Sequence, residues 1–212
     1  MMTAKRAPFI TLEGIDGAGK TTHLDAIADW IRRAGHTLVQ TREPGGTPLG
    51  DTLRKLLLEH DMRPDSEALL MFAARSEHLQ AVILPALARG NWVLSDRFSD
   101  ASVAYQGGGR GLGVDRIEAL EAWVHPGFRP DLTLLFDLAP QVAAQRMQLG
   151  RTDRDRFERE QTAFFERVRA AYLARALTQP ERFCVLDAAQ PAERVRADIL
   201  SALTQLAARF PP

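Results

Sequence analysis

Residues 13–22 read Glu-Gly-Ile-Asp-Gly-Ala-Gly-Lys-Thr-Thr, and this stretch constrains the fold more than any other part of the chain. Gly14 and Gly19 allow the backbone to curl closely, so that its N–H groups can point inward at an anion. Lys20 and Thr21 follow at once and supply a mobile positive charge and a hydroxyl that can bind Mg²⁺. This spacing is the Walker A pattern, which predicts a phosphate-binding loop between a strand and a helix.

The residues on either side of this loop have the patterns that such a loop requires. A short apolar, strand-like run covers 9–12, and Leu24, Ile27 and Ile31 recur at helical spacing after it. The alternative is a glycine-rich turn that binds no ligand. It is disfavoured because lysine is scarce in this chain, and one lysine stands where the motif needs it. The predicted ATP-binding residues of the loop are Gly14, Ile15, Asp16, Gly17, Ala18, Gly19, Lys20, Thr21 and Thr22.

Length and composition favour a single enclosed domain. With 212 residues, 45% of them hydrophobic, the chain suits one α/β domain over residues 1–212. A formal net charge of zero does not favour a nucleic-acid or acidic-membrane surface. Cys184 is the one cysteine, so neither an internal disulfide nor a cysteine-based zinc site can form. No apolar run approaches the roughly 18 residues of a membrane span, and we expect a cytoplasmic protein that binds neither nucleic acid nor membrane.

Apolar runs alternate with helical patterns along the chain. The five strand-like runs are 8–12, 37–41, 91–95, 132–136 and 182–186. The helical patterns are 19–34, 48–60, 65–73, 75–89, 114–124, 140–149, 157–178 and 191–209. This alternation predicts a five-stranded parallel sheet with helices on both faces, which together with the loop is the P-loop NTPase fold of the α/β class. The glycine-rich stretch 106–111 is interpreted as a tight loop.

Charged residues follow three of the predicted strands. Arg42 comes after the second strand, Asp96 and Arg97 after the third, and Asp137 after the fourth. Sites in open parallel sheets lie at the carboxyl ends of strands, so these residues are expected near the loop. Either aspartate could hold Mg²⁺, and Asp96 is preferred because Arg97 stands beside it. Arg42 and Arg97 suit a second phosphate, since a guanidinium group binds phosphate through two parallel hydrogen bonds.

Arginines are also concentrated between residues 146 and 169. One interpretation is a mobile lid at about 147–157 that brings an arginine to the transferring phosphoryl group. The other is a solvated helix face with ion pairs four residues apart. We favour the lid for Arg151, Arg154 and Arg156, and the solvated face for Arg159, Arg167 and Arg169.

The chain resembles the bacterial thymidylate kinases. The matching motifs run nearly from end to end and lie at 12–22 (Leu-Glu-Gly-Ile-Asp-Gly-Ala-Gly-Lys-Thr-Thr), 41–47 (Thr-Arg-Glu-Pro-Gly-Gly-Thr), 70–75 (Leu-Met-Phe-Ala-Ala-Arg), 95–98 (Ser-Asp-Arg-Phe), 102–111 (Ser-Val-Ala-Tyr-Gln-Gly-Gly-Gly-Arg-Gly) and 129–133 (Arg-Pro-Asp-Leu-Thr). The resemblance implies an enzyme that uses ATP and Mg²⁺ to phosphorylate thymidine monophosphate (dTMP), and it implies a homodimer.

The resemblance also implies roles for individual residues. It implies that Phe72 stacks on thymine and that Arg75 hydrogen-bonds to the edge of the base. Tyr105 would close on the deoxyribose. The other implied substrate-binding residues are Asp16, Arg42, Pro44, Arg97, Ser102 and Gln106, and the carboxylate of Asp16 would lie near either the acceptor sugar or the metal. Arg146 would pack against the adenine of ATP, and Thr21 and Asp96 would bind the metal.

Some members of this family carry an arginine inside the phosphate loop, at the place that Gly17 occupies here. In members without it, the lid provides the arginine, which leads us to choose Arg151 and Arg156. The predicted catalytic residues are therefore Lys20, Arg97, Arg151 and Arg156. The acceptor phosphate is already anionic, so no general base is assigned. Three alternatives remain: a GTPase switch, a protein that only binds nucleotide, and a kinase for another nucleoside monophosphate. A GTPase switch should carry an Asn-Lys-x-Asp motif, which this sequence lacks.

Overall fold

Five parallel strands form the centre of the structure, a computed structural model that describes residues 6–148, 156–157 and 160–210. The sheet has the order β2-β3-β1-β4-β5. The strands are β1 (Phe9–Glu13), β2 (Leu38–Arg42), β3 (Trp92–Asp96), β4 (Leu132–Asp137) and β5 (Phe183–Asp187). Each predicted strand is present, and its observed bounds lie within one residue of the predicted ones.

The helices of the described chain are α1 (Lys20–Arg33), α2 (Pro48–Glu59), α3 (Pro64–His78), α4 (Leu84–Ala88), α5 (Ser99–Ser102), α6 (Val114–Val124), α7 (Pro140–Gln148), α8 (Thr162–Thr178) and α9 (Ala192–Arg209). Two π-helical segments, Leu79–Ile83 and Val103–Gly109, continue α3 and α5. Among these ranges, no helix combines the length and the apolar character needed to cross a bilayer.

The three central strands β1, β3 and β4 are buried on both faces, which is why they are mostly apolar, whereas the edge strands β2 and β5 are partly exposed. Successive residues of a strand point to opposite faces. Phe9 and Val93 pack in one core cluster, with residues of the π-helical turn after α3. Ile10 and Leu94 pack in the other, with residues of α1, α8 and α9. The predicted five-stranded parallel sheet between two layers of helices is therefore confirmed.

The glycine-rich stretch after Gln106 is helical as far as Gly109, so the interpretation of it as a tight loop was wrong. These glycines lie where α8 comes very close. A Cβ atom at Gly108 would lie 2.6 Å from Cβ of Ala171, and one at Gly109 would lie 2.6 Å from the ring of Phe164. Glycine is needed here because of close helix packing.

Two helix boundaries also differ from the predictions. The patterns at 65–73 and 75–89 belong to one continuous helical segment, because α3, the π-helical turn and α4 follow one another without a break. The helix predicted from residue 157 begins at Thr162, and Phe157 lies in a turn. Residues 149–155 lie outside the described ranges, so the single domain with a lid at about 147–157 stays a prediction.

Candidate active site

The phosphate loop connects β1 to α1, and its backbone requires glycine. Gly14, Gly17 and Gly19 have φ values of 133°, 81° and 93°, a region that other residues rarely adopt. A Cβ atom at Gly14 would lie 2.5 Å from the carbonyl oxygen of Phe136, and one at Gly17 would lie 2.7 Å from that of Ala143. The first turn of α1 contains no acidic residue, so its positive end is open to an anion.

Lys20 is held inside this loop. Its Nζ donates to the carbonyl oxygens of Gly14 and Ile15 at 3.0 and 3.1 Å. Burial, together with the positive charge of Arg97, lowers the pKa of Lys20 to about 8. An anion placed against the loop would favour the charged ammonium form again.

Arg97 joins the phosphate loop to the end of β3. It adopts a φ of 72°, an uncommon conformation for a residue with a side chain, of the kind found at functional sites. Its guanidinium group donates to the carbonyl oxygen of Gly14 at 3.0 Å, to Asp16 at 2.7 Å and to the hydroxyl of Tyr105 at 3.1 Å. Burial alone would raise the pKa of Asp16, but the charges of Arg97 and Lys20 outweigh it and hold that pKa below its usual value.

A cavity of about 580 Å³ opens at the phosphate loop. The predicted ATP-binding and metal-binding residues that line it are Asp16, Gly17, Ala18, Gly19, Lys20, Thr21, Thr22, Asp96 and Arg146. Gly14 and Ile15 are not among its lining residues, but their carbonyl groups accept hydrogen bonds from Lys20. Arg146 donates to the carbonyl oxygen of Ala188 at 3.0 Å. Arg42 is also on the wall, 3.4 Å from Asp51.

The two aspartates that compete for a metal ion have different surroundings. Both carboxylate oxygens of Asp137 accept from Arg169, at 2.6 and 2.8 Å. Asp96 and Thr21 both line the cavity, and Oδ1 of Asp96 is buried without a hydrogen-bond partner among the described residues. A hydroxyl and a carboxylate oxygen suit Mg²⁺, which takes its remaining ligands from phosphates and water. The surroundings therefore favour Asp96 over Asp137.

A second cavity, of about 90 Å³, adjoins the first. Asp16, Glu43, Arg54 and Arg97 line both cavities. The remaining lining residues of the second cavity are Pro44, Leu58, Met71, Arg75, Phe98, Ala101, Ser102, Tyr105, Gln106 and Phe157. Two ligands in these cavities would thus meet beside Asp16 and Arg97.

Arg75 is held in place by several hydrogen bonds at the second cavity. Its Nε donates to Glu43 at 2.7 Å, and its Nη2 donates to Ser102 at 3.0 Å and to the carbonyl oxygen of Phe98 at 3.1 Å. Its Nη1 is buried and finds no partner within the described ranges. A buried donor of this kind carries an energetic penalty unless a ligand or water satisfies it.

Phe72 is buried beside the second cavity, and its predicted stacking role stays a prediction. Of the described residues, Met71 lines the second cavity and Phe72 does not. The ring of Phe72 is buried in a core cluster with Val103 and Ile117, and the guanidinium carbon of Arg75 lies 4.5 Å from its centre. Neighbouring residues of a helix point about 100° apart, so α3 directs Met71 to the cavity and Phe72 to the core.

Of the two arginines chosen from the lid, Arg156 falls within the described ranges and Arg151 does not. Arg156 is buried, donates to the carbonyl oxygen of Leu57 at 3.1 Å, and forms an ion pair with Glu67. It is absent from the described lining of both cavities. In this conformation Arg156 therefore does not reach the phosphate loop.

The arginines assigned to a solvated face have other partners. Arg169 pairs with Asp137, and Arg167 donates to the carbonyl oxygens of Gly109 and Ala163. The contacts of Arg169 with Asp137 and of Arg167 with Gly109 join α8 to distant parts of the chain. The local sequence could not reveal these contacts. Arg154 and Arg159 lie outside the described residues.

The sequence reasoning missed Glu43, Arg54 and Met71. Glu43 directly follows Arg42 in the motif at 41–47, so proximity to a predicted ligand was the available signal. Arg54 and Met71 lie on helices, where the same residue types more often occupy ordinary surface or core positions. Arg54 lines both cavities and donates to the carbonyl oxygen of Pro44 at 3.0 Å.

A glycine-lined loop at the end of β1, a buried lysine and a following helix that is open to anions define a P-loop nucleotide-binding protein. The order of the parallel strands places this loop at the centre of the sheet. The family model described as Thymidylate kinase matches residues 12–199.

Curated relatives named thymidylate kinase match over almost the whole chain. The protein of Thiobacillus denitrificans is 59% identical over 198 residues, which are 93% of this chain and 97% of the relative. That of Bordetella petrii is 58% identical over 206 residues, covering 97% and 99%. That of Methylobacillus flagellatus is 54% identical over 203 residues, covering 96% and 100%. The chain belongs to the thymidylate kinase family.

Proposed function

We propose that this protein is a thymidylate kinase that transfers the γ-phosphoryl group of ATP to the 5′-phosphate of dTMP. The products are ADP and dTDP, on the way to dTTP. The observation that carries the proposal is the junction of two cavities at Asp16 and Arg97, one of them built on the phosphate loop. Membership of the family supports the choice of substrates.

The donor nucleotide belongs in the cavity at the phosphate loop. The loop 14–19 and the start of α1 offer N–H groups to its phosphates, and Lys20 adds a buried positive charge. Arg146, which lines this cavity, would pack against adenine. Thr21 and Asp96 would hold Mg²⁺, which when bound neutralises charge on the β- and γ-phosphates.

The acceptor belongs in the second cavity. Its phosphate would lie at the junction, where Arg97 and Arg54 line both cavities and Arg42 is close by on the first. The base would lie deeper, among Arg75, Ser102 and Gln106, with Met71 on the wall. Tyr105, whose hydroxyl lies 3.3 Å from Asp16, would close on the deoxyribose, and Pro44 would complete the wall.

The main obstacle to this reaction is the repulsion between two anionic phosphates. Lys20 lines the first cavity and Arg97 lines both, and they would stabilise the charge that spreads over the phosphoryl group in the transition state. The acceptor oxygen needs no general base, because a phosphate monoester is largely ionised near neutral pH. Closure of a lid at 147–157, with Arg151 or Arg156 approaching the phosphates, would exclude water.

The protein is further proposed to act as a homodimer in the cytoplasm. Helices α3 and α6 pack side by side, and each exposes a large apolar side chain. Leu69 on α3 is 54% exposed and Trp123 on α6 is 78% exposed, which favours a covered face. Size-exclusion chromatography with light scattering would give twice the mass of one chain; a monomer at micromolar concentration would refute this part.

An assay of ADP release across a panel of nucleoside monophosphates tests the activity. We expect strong stimulation by dTMP in the presence of MgATP and little by AMP, CMP or GMP. Equal rates with AMP or CMP would favour a kinase of another substrate. Binding of ATP without any release of ADP that depends on an acceptor would mean that the protein only binds nucleotide.

A further inference from the structure

Glu67 is a fully buried carboxylate beneath the second cavity that the proposed reaction does not use. It lies on α3 with no exposed surface. Its oxygens accept hydrogen bonds from the side-chain amide of Gln106 at 2.7 Å and from Nε of Arg110 at 3.1 Å, and it pairs with Arg156. A carboxylate buried in this way is costly unless its partners hold it in place, so its position requires an explanation.

The contact with Glu67 determines which end of the Gln106 side chain faces the cavity. A carboxylate paired with guanidinium groups only accepts hydrogen bonds, so the NH₂ end of the amide must be the end that faces it. The carbonyl Oε1 of Gln106 is then at the end of the amide that faces away from Glu67. Nothing in the described part of the chain donates to this oxygen, and Gln106 lines the second cavity. The amide therefore offers an acceptor to a ligand.

Arg75 offers the opposite polarity in the same cavity. A guanidinium group has five N–H donors and no acceptor, so any part of it that faces the ligand donates. Ser102, which already accepts from Arg75 at 3.0 Å, still has its hydroxyl hydrogen to donate. The cavity thus presents donors from Arg75 and Ser102, and an acceptor from Gln106.

This pattern matches one kind of base edge. Thymine and uracil carry a carbonyl group at C4 next to an N–H group at N3, which are an acceptor and a donor. Cytosine carries an amino group at C4 and a bare nitrogen at N3, which reverses both. Guanine has the keto pattern on a larger ring, so the hydrogen bonds select keto bases and the size of the cavity selects among them.

We propose that Glu67 is a positioning residue that holds the carbonyl group of Gln106 towards the base and thereby selects keto over amino pyrimidines. The inference rests on the proposed function, because it assigns the specificity of the same acceptor site. Glu67 does not touch the base. It acts through Gln106, and without it the amide could turn round and present its NH₂ group instead.

The variant Glu67→Gln tests this. The new amide has the shape of the carboxylate, but it can donate to Oε1 of Gln106 and so permit the reversed orientation. We would measure kcat and KM with dTMP and with 5-methyl-dCMP, which differs from dTMP only at the edge in question. The kcat/KM ratio of dTMP to 5-methyl-dCMP should fall by at least about tenfold, mainly through KM.

Glu160→Gln is the matched control. Glu160 is another carboxylate partner of Arg110, but it has no hydrogen bond to Gln106. This variant should keep the wild-type ratio within about twofold. Any loosening of Arg156 in Glu67→Gln would alter the rates with both substrates alike, whereas the ratio reports on the base edge. An unchanged ratio in a folded, active Glu67→Gln protein would overturn the inference.

A second variant carries the test if Glu67→Gln does not fold, as judged by circular dichroism and thermal unfolding. Gln106→Leu keeps the volume of the side chain and removes the amide. Activity with dTMP should fall by at least about tenfold, while activity with 5-methyl-dCMP should stay the same or rise. Equal losses with both substrates would contradict the proposed orientation. Failure of the proposed function is a separate result, namely a wild-type protein without release of ADP that depends on dTMP.

Discussion

Replacing Lys20 by methionine removes one buried charge while keeping most of the side chain. The Nζ atom is bound to two carbonyl oxygens of the loop, and the residue is 6% exposed. Two unit charges 4 Å apart interact by about 4 kcal/mol at an effective dielectric constant of about 20. Since each 1.36 kcal/mol of barrier is about tenfold in rate, losing this attraction to the transferring phosphoryl group lowers kcat/KM by roughly 10³.

The assay is release of ADP with saturating dTMP and varied MgATP. Lys55→Met is the control, because Lys55 is exposed on α2 and lines neither cavity within the described ranges. Thermal unfolding at pH 7 should show that Lys20→Met is at least as stable as the wild type, since burying the charge is itself unfavourable. A folded Lys20→Met protein with kcat/KM within tenfold of the wild type would refute the assigned role of the lysine.

The same variant gives a pH test. Burial and Arg97 lower the pKa of Lys20 to about 8 in the free protein, so the ammonium group loses its proton as the pH rises through that value. Binding of ATP then requires uptake of a proton, and its affinity should fall by about tenfold per pH unit above the pKa. Titrations between pH 7 and 9.5 should show this fall in the wild type. If Lys20→Met shows the same fall, another group is responsible.

Three further predictions concern the metal site, a buried carboxyl and a glycine. Asp96→Asn should raise the Mg²⁺ concentration needed for half-maximal activity at least about tenfold, while Asp137→Asn, whose carboxylate pairs with Arg169, should not; equal effects in a Mg²⁺ titration would contradict the choice of Asp96. Burial, and next the charge of Asp100, raise the pKa of Glu13 to about 8, so the folded state holds this proton better than the unfolded state and the free energy of unfolding should fall as the pH rises from about 4.5 to 8. Urea unfolding at several pH values should show that Glu13→Gln gains stability relative to the wild type over that range. A difference in unfolding free energy that does not change with pH would refute the raised pKa of Glu13. Gly109→Ala should destabilise the protein by about 1–3 kcal/mol, because its methyl group would lie 2.6 Å from the ring of Phe164, and an unchanged urea midpoint would show that α8 can move away freely.

Much of the fold was predictable because its signals are local. Five apolar runs separated by helical patterns were sufficient for the sheet, and each strand lies within one residue of its predicted place. The stretch 103–109 was not predictable in this way. Its glycines are typical of a loop, but here they lie in a helix, and glycine is required because α8 packs at a distance that admits no Cβ atom.

The residues of the candidate site also differ in whether local sequence or packing determines their position. Lys20 and Arg97 were predicted from the motif and the strand ends, and they line the cavity as expected. The role of Phe72 stays a prediction, and Met71 was missed because a motif read along the chain does not show which of two adjacent helical residues faces a cavity. The side chains of Met71 and Phe72 point in different directions from α3, and the packing of α3 determines which of them faces the cavity.

By itself the sequence determined the phosphate loop, the parallel sheet and the family resemblance, since each depends on residues close together or on repeated local patterns. The tertiary structure alone decided which polar groups remain available to ligands. The carboxylate of Asp137 pairs with Arg169, which is 32 positions away in the sequence. The carboxylate of Glu67 accepts a hydrogen bond from Gln106, which is 39 positions away. The availability of a buried carboxylate or amide depends on partners that only folding brings within hydrogen-bond distance.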